Sequence, residues 1–581
     1  MNSSIAIQQF YSLQNALCVV ATSLKLTSYL WPQQACVNDG AIFDFIVVGA
    51  GSAGCVIANR LTENENVRVL LIEAGGDPPL ESMLPSQSGT LIKSCYDWNT
   101  ESENDGYTEQ CSKFKTHELI RGKLLGGSSS INYMLYTRGF RHEYRKWAIE
   151  ANNTAWEWDN ITPYFKKSEK LVDDIVSKSP YGTYHGKNGY MGVKRYYYED
   201  TDKHLEAFRE LGQNIVLDIN NGTLGYTAPM FTIANGNRQS TALAFLHSIL
   251  NRTNLFVLKN TKVVKILFDS TNRAIGVKVR RKNNSTSIIK ARKEVIITAG
   301  AINSAHLLLL SGIGPKEHLK TKNVPVIANL PVGRNYQNHV GTVLIYTLNK
   351  QNKTPKASDP HEISTPVFIG LVAVDRNKSY PDYETLGIVY DNPESYLTNC
   401  NINPQFESYI CDEIYKKSKD KTLVYVTHKT LYPKSRGRVL LRSNDPQDTP
   451  LVVTGYYTDE RDVENQIRFV IHFLPIINST FYKKSNAVFL NPASKRCGNF
   501  DFGTDSFWRC YILCMSASGQ HYSGTCAIGS VVDWRGRVFK VRGLRVADAG
   551  IMPFITGAHT NAPTIMIGEN IADMIKEDHS L

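Results

Sequence analysis

The chain has 581 residues, 42% hydrophobic and 20% charged, with a net charge of +11. That length exceeds what one hydrophobic core serves, so two domains are expected, and the composition excludes a disordered chain. No run of about 18 apolar residues is present, which argues against a helical membrane span. The densest basic run, 278–282, leads into Asn283-Asn284-Ser285 and reads as a hairpin tip, with no nucleic-acid signature beside it.

Residues 1–40 read as a leader or signal segment. Its apolar patch, 16–24, lacks a basic region ahead of it and is broken by Lys25, so a docked arm remains the rival reading. The first strong pattern follows. An apolar strand, Phe43 to Val48, runs into Gly49-Ala50-Gly51-Ser52-Ala53-Gly54, then a helix over Cys55 to Leu61, then a second strand, Val67 to Ile72, ending in Glu73. In such a unit Gly49 makes the tight turn, Gly51 admits a pyrophosphate to the backbone, and Gly54 lets helix and strand pack. The helix N-terminus offers unpaired N–H groups to phosphate, and an acid at the position of Glu73 binds ribose hydroxyls. Dinucleotide binding is expected here.

Residues 121–132 contain Gly126-Gly127-Ser128-Ser129-Ser130 and Asn132, which suits a loop wrapping a cofactor. A linker has the same composition, but the structured apolar segment after Ile131 argues against one. Residues 152–225 are rich in Tyr, Trp, Asp and Lys and read as an insertion of about 150–225 into a first region, 41–340. Strands return at Leu255 to Leu258, Val263 to Phe268 and Glu294 to Ala299, and the last opens a helix from Asn303 to Leu310. Residues 341–510 alternate β-like runs with polar loops, as an antiparallel sheet would, and 511–581 return to the first texture. The expected fold class is α/β: a Rossmann-like domain interleaved with an α+β domain built on an antiparallel sheet.

Two histidines near the end carry the chemistry. His521 precedes a Gly-Thr turn, and His559 stands at the entry to a last helix from Thr564 to Ile575. Both lie in Gly-rich turns beside returning segments of the first domain, where ligand crevices form, and imidazole is the natural proton acceptor near neutral pH. His339 and His306 read as ordinary structural histidines. Among the 11 cysteines, Cys95 with Cys111, Cys400 with Cys411, and Cys497 near Cys510 and Cys514 are plausible disulfides, and no zinc pattern occurs. Glycosylation acceptor triplets begin at Asn152, Asn160, Asn221, Asn251, Asn283, Asn352, Asn377 and Asn478. Together these favour secretion.

The four motif regions, taken jointly and in this order, resemble the glucose–methanol–choline (GMC) family of flavin oxidoreductases over about 42–575, with the texture of its arthropod members. The resemblance implies FAD. It implies that Gly49, Ala50, Gly51, Ser52, Ala53, Gly54 and Glu73 hold the ADP half, with Val263 by the adenine. Gly126, Gly127 and Ser128 would line the flavin, with Asn132 beside it. Asp548 and Ala549 would approach the pyrophosphate and ribityl chain, and Asn561, Pro563 and Thr564 the pyrimidine edge. His521 would be the catalytic base and His559 its partner, oxidising a primary alcohol to an aldehyde by hydride transfer to flavin N5. Oxygen would be the acceptor, giving hydrogen peroxide. A sugar dehydrogenase using quinones, a cyanohydrin lyase and a silent secreted glycoprotein are the alternatives. Aromatic residues Trp156, Trp158, Tyr196 to Tyr198, Phe502, Phe507 and Trp508 either wall a pocket for a small aromatic or allylic alcohol or pack the core. Asn338 stands where the family usually has aspartate, so one hydrogen bond is expected to differ.

Overall fold

The computed structural model describes residues 12–14, 16, 20, 27–350, 359–402 and 405–581. Most of the expected leader before residue 27, and Asn352, fall outside the described residues. The first half forms β1 (Ile42–Val48), α1 (Ser52–Leu61), β2 (Val69–Ile72), β3 (Gly225–Thr227), β4 (Leu255–Leu258), β5 (Thr261–Phe268), β6 (Ala274–Arg281), β7 (Thr286–Ile297) and α2 (Gly300–Leu310). The second half adds β8 (Val340–Asn349), β9 (Val367–Val372), β10 (Tyr383–Tyr390), β11 (Lys421–Thr430), β12 (Val488–Leu490), β13 (Ser516–Ser518), β14 (Leu544–Val546) and α3 (Asn561–His579). No helix among the described residues is long and apolar enough to cross a membrane.

The first sheet has the order β4-β2-β1-β7-β6-β5, with β14 beside β7. Phe45, Ile46, Val47 and Val48 are at most 5% exposed, because a parallel strand is covered on both faces and must be apolar on both. Val48 pairs with Ile72 and Ile297, Ile72 with Leu258, and Ile297 with Val546, so these strands end level with one another. Gly49, Glu73, Thr298 and the Ala547-Asp548 turn therefore emerge along one edge, where open α/β sheets bind ligands. The second sheet is antiparallel, in the order β12-β8-β11-β10-β9-β3, with β13 beside β8. The fold is thus the expected α/β class, with a Rossmann-like sheet interleaved with an antiparallel one.

Helix α3 closes the interleaving by packing on α1. Arg60 donates from Nε and Nη2 to the two carboxylate oxygens of Glu569 at 2.7 and 2.8 Å, and both side chains are buried. Such a bidentate pair fixes orientation as well as position. This helix begins at Asn561, earlier than the expected Thr564, because Pro563 sits in its first turn, where a missing N–H has no intrahelical partner to lose. Strand β7 is longer than expected because its first half pairs with β6 in a hairpin, and the basic run lies at that hairpin's end.

The disulfides correct one expectation. Cys400–Cys411 and Cys497–Cys510 join near neighbours, but Cys111 pairs with Cys514, 403 residues away, and not with Cys95. Tertiary packing decides this: the Cys111 loop lies against the end of the helix Asp505–Cys514, and the Cys111 N–H donates to the Cys514 carbonyl.

Candidate active site

The crevice at the edge of the parallel sheet opens into a cavity of about 1820 Å³ that continues beneath the antiparallel sheet. Gly49, Gly51, Ser52, Ala53, Glu73 and Val263 line it from the first half of the chain, with Gly127, Ser128 and Asn132 from the serine-rich loop. Asp548, Ala549, Asn561 and Thr564 line it from the last segment, together with His521 and His559. Ala50, Gly54, Gly126 and Pro563 stand behind this surface. The Ala50 N–H donates to Glu73 Oε2 at 2.9 Å, and the Gly126 N–H donates to the Ala50 carbonyl at 2.7 Å, which docks the serine-rich loop on the glycine turn. Gly54 is buried against the Gly49 carbonyl, and Pro563 is buried in the first turn of α3.

Two glycines are required by geometry. Gly49 has φ +104°, and a side chain there would meet the Thr298 carbonyl oxygen at 2.7 Å. Gly127 has φ +53° and approaches so closely that a side chain would meet Gly51 Cα at 2.8 Å. Any larger residue at either position is strained and sterically blocked. Burial pushes the Glu73 carboxyl up to about 7, although it accepts from Gly75 N–H at 2.8 Å and from Ala50. Asp548 is raised by burial, against hydrogen bonds from Ser304 Oγ, Gly550 N–H and Gly300 N–H. Ser52 Oγ donates to Asn561 Oδ1 at 2.8 Å, joining the N-termini of α1 and α3, and Asn561 Nδ2 is left buried without a partner. Asn132 Oδ1 accepts from the buried Arg238 at 2.7 Å.

At the other end of the cavity the rings of His521 and His559 lie 4.7 Å apart, edge to face. His521 is positioned by β13 and by its own N–H, which donates to Asn338 Oδ1 at 2.6 Å. Asn338 Nδ2 donates to Ser518 Oγ at 2.8 Å and to the Tyr456 hydroxyl. An amide is needed to accept from one side and donate to the other, which gives the departure at position 338 a structural role. His559 is held by its N–H on Thr137 Oγ1 at 2.8 Å, and its loop by the Gly557 N–H on Glu143 Oε1 at 2.9 Å.

His339 is not the bystander its sequence setting suggested. Its Nδ1 lies 2.8 Å from His521 Nδ1, and its Nε2 lies 3.1 Å from the Leu431 carbonyl. Burial pushes the His339 imidazole down to about 3, so it is neutral at pH 7 and carries one ring proton. The Leu431 carbonyl accepts only, which assigns that proton to Nε2 and makes Nδ1 an acceptor. His521 must then donate from Nδ1, leaving Nε2 as the bare nitrogen of a ring that lines the cavity. Burial first, then the neighbouring His559, His339 and Lys429, hold His521 well below the usual histidine range. The arrangement is a neutral base with its lone pair facing the cavity.

Sequence reasoning also missed a charged pair. His559 Nε2 lies 3.1 Å from Glu384 Oε2, close in distance but poorly aligned for a hydrogen bond, and Lys429 Nζ lies 2.8 Å from Glu384 Oε1. Glu384 and Lys429 face each other directly across β10 and β11 and are 1% and 6% exposed. Burial opposes ionisation of Glu384, but His559 and Lys429 outweigh it and hold the carboxyl well below its usual range. The available signal was a carboxylate and a lysine embedded in apolar strands, where charges are rarely buried unpaired.

Of the aromatic residues singled out from the sequence, Tyr198 lines the cavity, whereas Trp156, Phe507 and Trp508 are core residues at most 1% exposed and Phe502 is exposed. Their strands and helices pack inward, so the cavity walls come instead from Tyr133, Leu135, Phe231, Tyr390 and Tyr425.

Comparison with known proteins gives a consistent picture. Family models described as GMC oxidoreductase match residues 43–341 and 433–568. An ecdysone oxidase of Bombyx mori is 35% identical, covering 98% of this chain and 86% of that protein. The FAD- and quinone-dependent glucose dehydrogenase of Drosophila melanogaster is 34% identical, covering 92% and 87% respectively. The solved structure of a formate oxidase from Aspergillus oryzae superposes with a TM-score of 0.81 at 23% identity, over 94% of this chain and 100% of that one.

Proposed function

This chain belongs to the GMC oxidoreductases, FAD-dependent enzymes acting on CH–OH groups, and we propose that it oxidises an apolar primary alcohol, small aromatic and allylic ones among them, to its aldehyde. The observation that carries this reading is the ring-nitrogen chain from Leu431 through His339 to His521, which presents a bare base to the cavity.

The residues of the crevice fit FAD. The left-handed turn at Gly49, the close approach of Gly127 to Gly51, two helix N-termini and the unpartnered Asn561 Nδ2 would suit an elongated, phosphate-bearing ligand. Gly49, Ala50, Gly51, Ser52, Ala53 and Gly54 would hold the ADP half, with Glu73 on the ribose and Val263 by the adenine. Gly126, Gly127, Ser128 and Asn132 would hold the flavin, Asp548 and Ala549 the middle of the molecule, and Asn561, Pro563 and Thr564 its far edge. FAD, when bound, supplies the redox chemistry by taking two electrons from the carbinol.

His521 Nε2 accepts the hydroxyl proton, and its Nδ1–H stays on His339, so the ring keeps one orientation throughout. His559 hydrogen-bonds the same substrate oxygen and fixes its direction. Glu384 compensates the charge that gathers when His521 takes the proton, and Lys429 holds Glu384 ionised and in place. General-base assistance of this kind contributes roughly 10² to 10⁴ in rate. With oxygen as acceptor the balance is one alcohol and one O2 to one aldehyde and one H2O2.

The similarity to an ecdysone oxidase supports oxygen, and that to a glucose dehydrogenase supports a second reading, a sugar dehydrogenase passing electrons to a quinone. Stopped-flow reoxidation of the reduced protein separates them: the oxidase reading expects oxygen to outpace a benzoquinone, and the reverse order overturns it. Secretion is part of the proposal. The disulfides Cys111–Cys514, Cys400–Cys411 and Cys497–Cys510 suit an oxidising compartment, and the acceptors Asn152, Asn160, Asn251, Asn283, Asn377 and Asn478 are exposed.

A further inference from the structure

Beyond the crevice assigned to FAD, the cavity continues along one face of β10 and β11. Directly opposed pairs share a face, and the pairs here are Glu384 with Lys429, Leu386 with Thr427, and Ile388 with Tyr425. The charged pair stands at His559. Moving outward, Leu386, Ile388, Tyr390, Tyr425 and Thr427 all line the cavity. At about 3.4 Å per residue, Glu384 to Tyr390 spans about 20 Å. Phe231 and Val367 line the same space. Within this apolar track Thr427 Oγ1 is buried with no partner, about 7 Å along the strand from Lys429.

We infer that the substrate is an alcohol with an extended apolar body, which lies along the Leu386–Ile388–Tyr390 face while its carbinol meets the two histidines, and that Thr427 receives a second polar group. This rests on the alcohol-oxidation reading above and extends it past a small alcohol. A free hexose is disfavoured because its hydroxyls, spread over every carbon, would face Leu386, Ile388 and Val367 unpaired. An apolar chain or ring system loses nothing there and gains burial.

The test uses the FAD-loaded enzyme and three probes: benzyl alcohol, 1-dodecanol and D-glucose. Anaerobic bleaching of the flavin band gives the second-order rate for each. The track predicts 1-dodecanol faster than benzyl alcohol, and both faster than glucose by at least about 10-fold. Ile388→Trp fills the track at its second step and should lower the rate for 1-dodecanol about 10²-fold more than that for benzyl alcohol. Thr427→Val, nearly isosteric and safe for folding, should abolish a preference for 1,6-hexanediol over 1-hexanol. Calorimetric binding of dodecanal, weakened by Ile388→Trp, reads the track without turnover. Glucose matching 1-dodecanol, or dodecanal binding unchanged in Ile388→Trp, overturns the inference. If no alcohol bleaches the flavin, the oxidation reading fails while the calorimetry still decides the track. If benzyl alcohol or glucose bleaches it through His521 and 1-dodecanol does not, the track alone fails.

Discussion

The two ends of the cavity are built by opposite means. At the parallel sheet the lining is mostly backbone: glycines, helix N-termini and two carboxylates, Glu73 and Asp548, delivered by short contiguous motifs at strand ends. At the antiparallel sheet it is side chain: Lys429, His521 and His559 line the cavity with His339 and Glu384 behind them, and the five arrive from separate segments brought together by tertiary packing. A backbone cradle tolerates changes of side chain but not of bulk. A charge cluster tolerates changes of bulk but not of proton or charge.

Four experiments would break or sharpen that contrast. The largest effect is expected at the base. His521→Ala should slow anaerobic flavin reduction about 10² to 10⁴-fold while FAD stays bound, as read by its visible absorbance. A mutant that keeps wild-type reduction removes the base assignment. Next, Glu384→Gln leaves Lys429 buried without its counter-charge, and breaking such a pair costs about 3–5 kcal/mol in unfolding experiments. If thermal and denaturant unfolding are both unchanged, the pair is not the anchor of the corner.

The mirror experiment is made at the cradle. Gly127→Val forces a side chain against Gly51 and should strain the site by about 1–3 kcal/mol, weakening FAD retention roughly 5- to 150-fold. Reduction of whatever flavin remains should be near normal, since the histidines are untouched. The smallest effect is expected from Asn338→Asp. It keeps an acceptor for the His521 N–H but loses the donor to Ser518, and its negative charge favours protonated His521. The acid limb of the rate profile should move upward by about one pH unit, with the plateau within about 10-fold.

The same contrast decides what could be read from the sequence. Gly49 to Gly54 with Glu73, and the serine-rich loop at 126–132, announce themselves because turn chemistry is local. The level strand ends that gather them follow from the βαβ pattern. His521 and His559 were legible as residues in unusual Gly-rich turns. Their partners were not, because cross-strand register is not written in any short window. His339 lay beside an ordinary strand start, and Glu384 and Lys429 are distant in sequence yet face each other across one ladder. Cys111 failed for the same reason: its partner was chosen by packing, not by proximity along the chain. The aromatic cluster at 502–508 was left undecided between pocket and core because large rings mark both alike, and Phe507 and Trp508 are core.

The central claim is that His521 works as a neutral base whose tautomer His339 sets. The direct measurement is the pH dependence of anaerobic flavin reduction by an alcohol, in the wild type and in His521→Ala. Because burial and its neighbours depress the His521 imidazole, the rate should be flat through pH 7 and fall only as pH drops below 6.5. The sign is fixed by the requirement for the unprotonated ring, and the limb should vanish in His521→Ala. An acid limb centred above 6.5, or one that survives the substitution, would contradict the account.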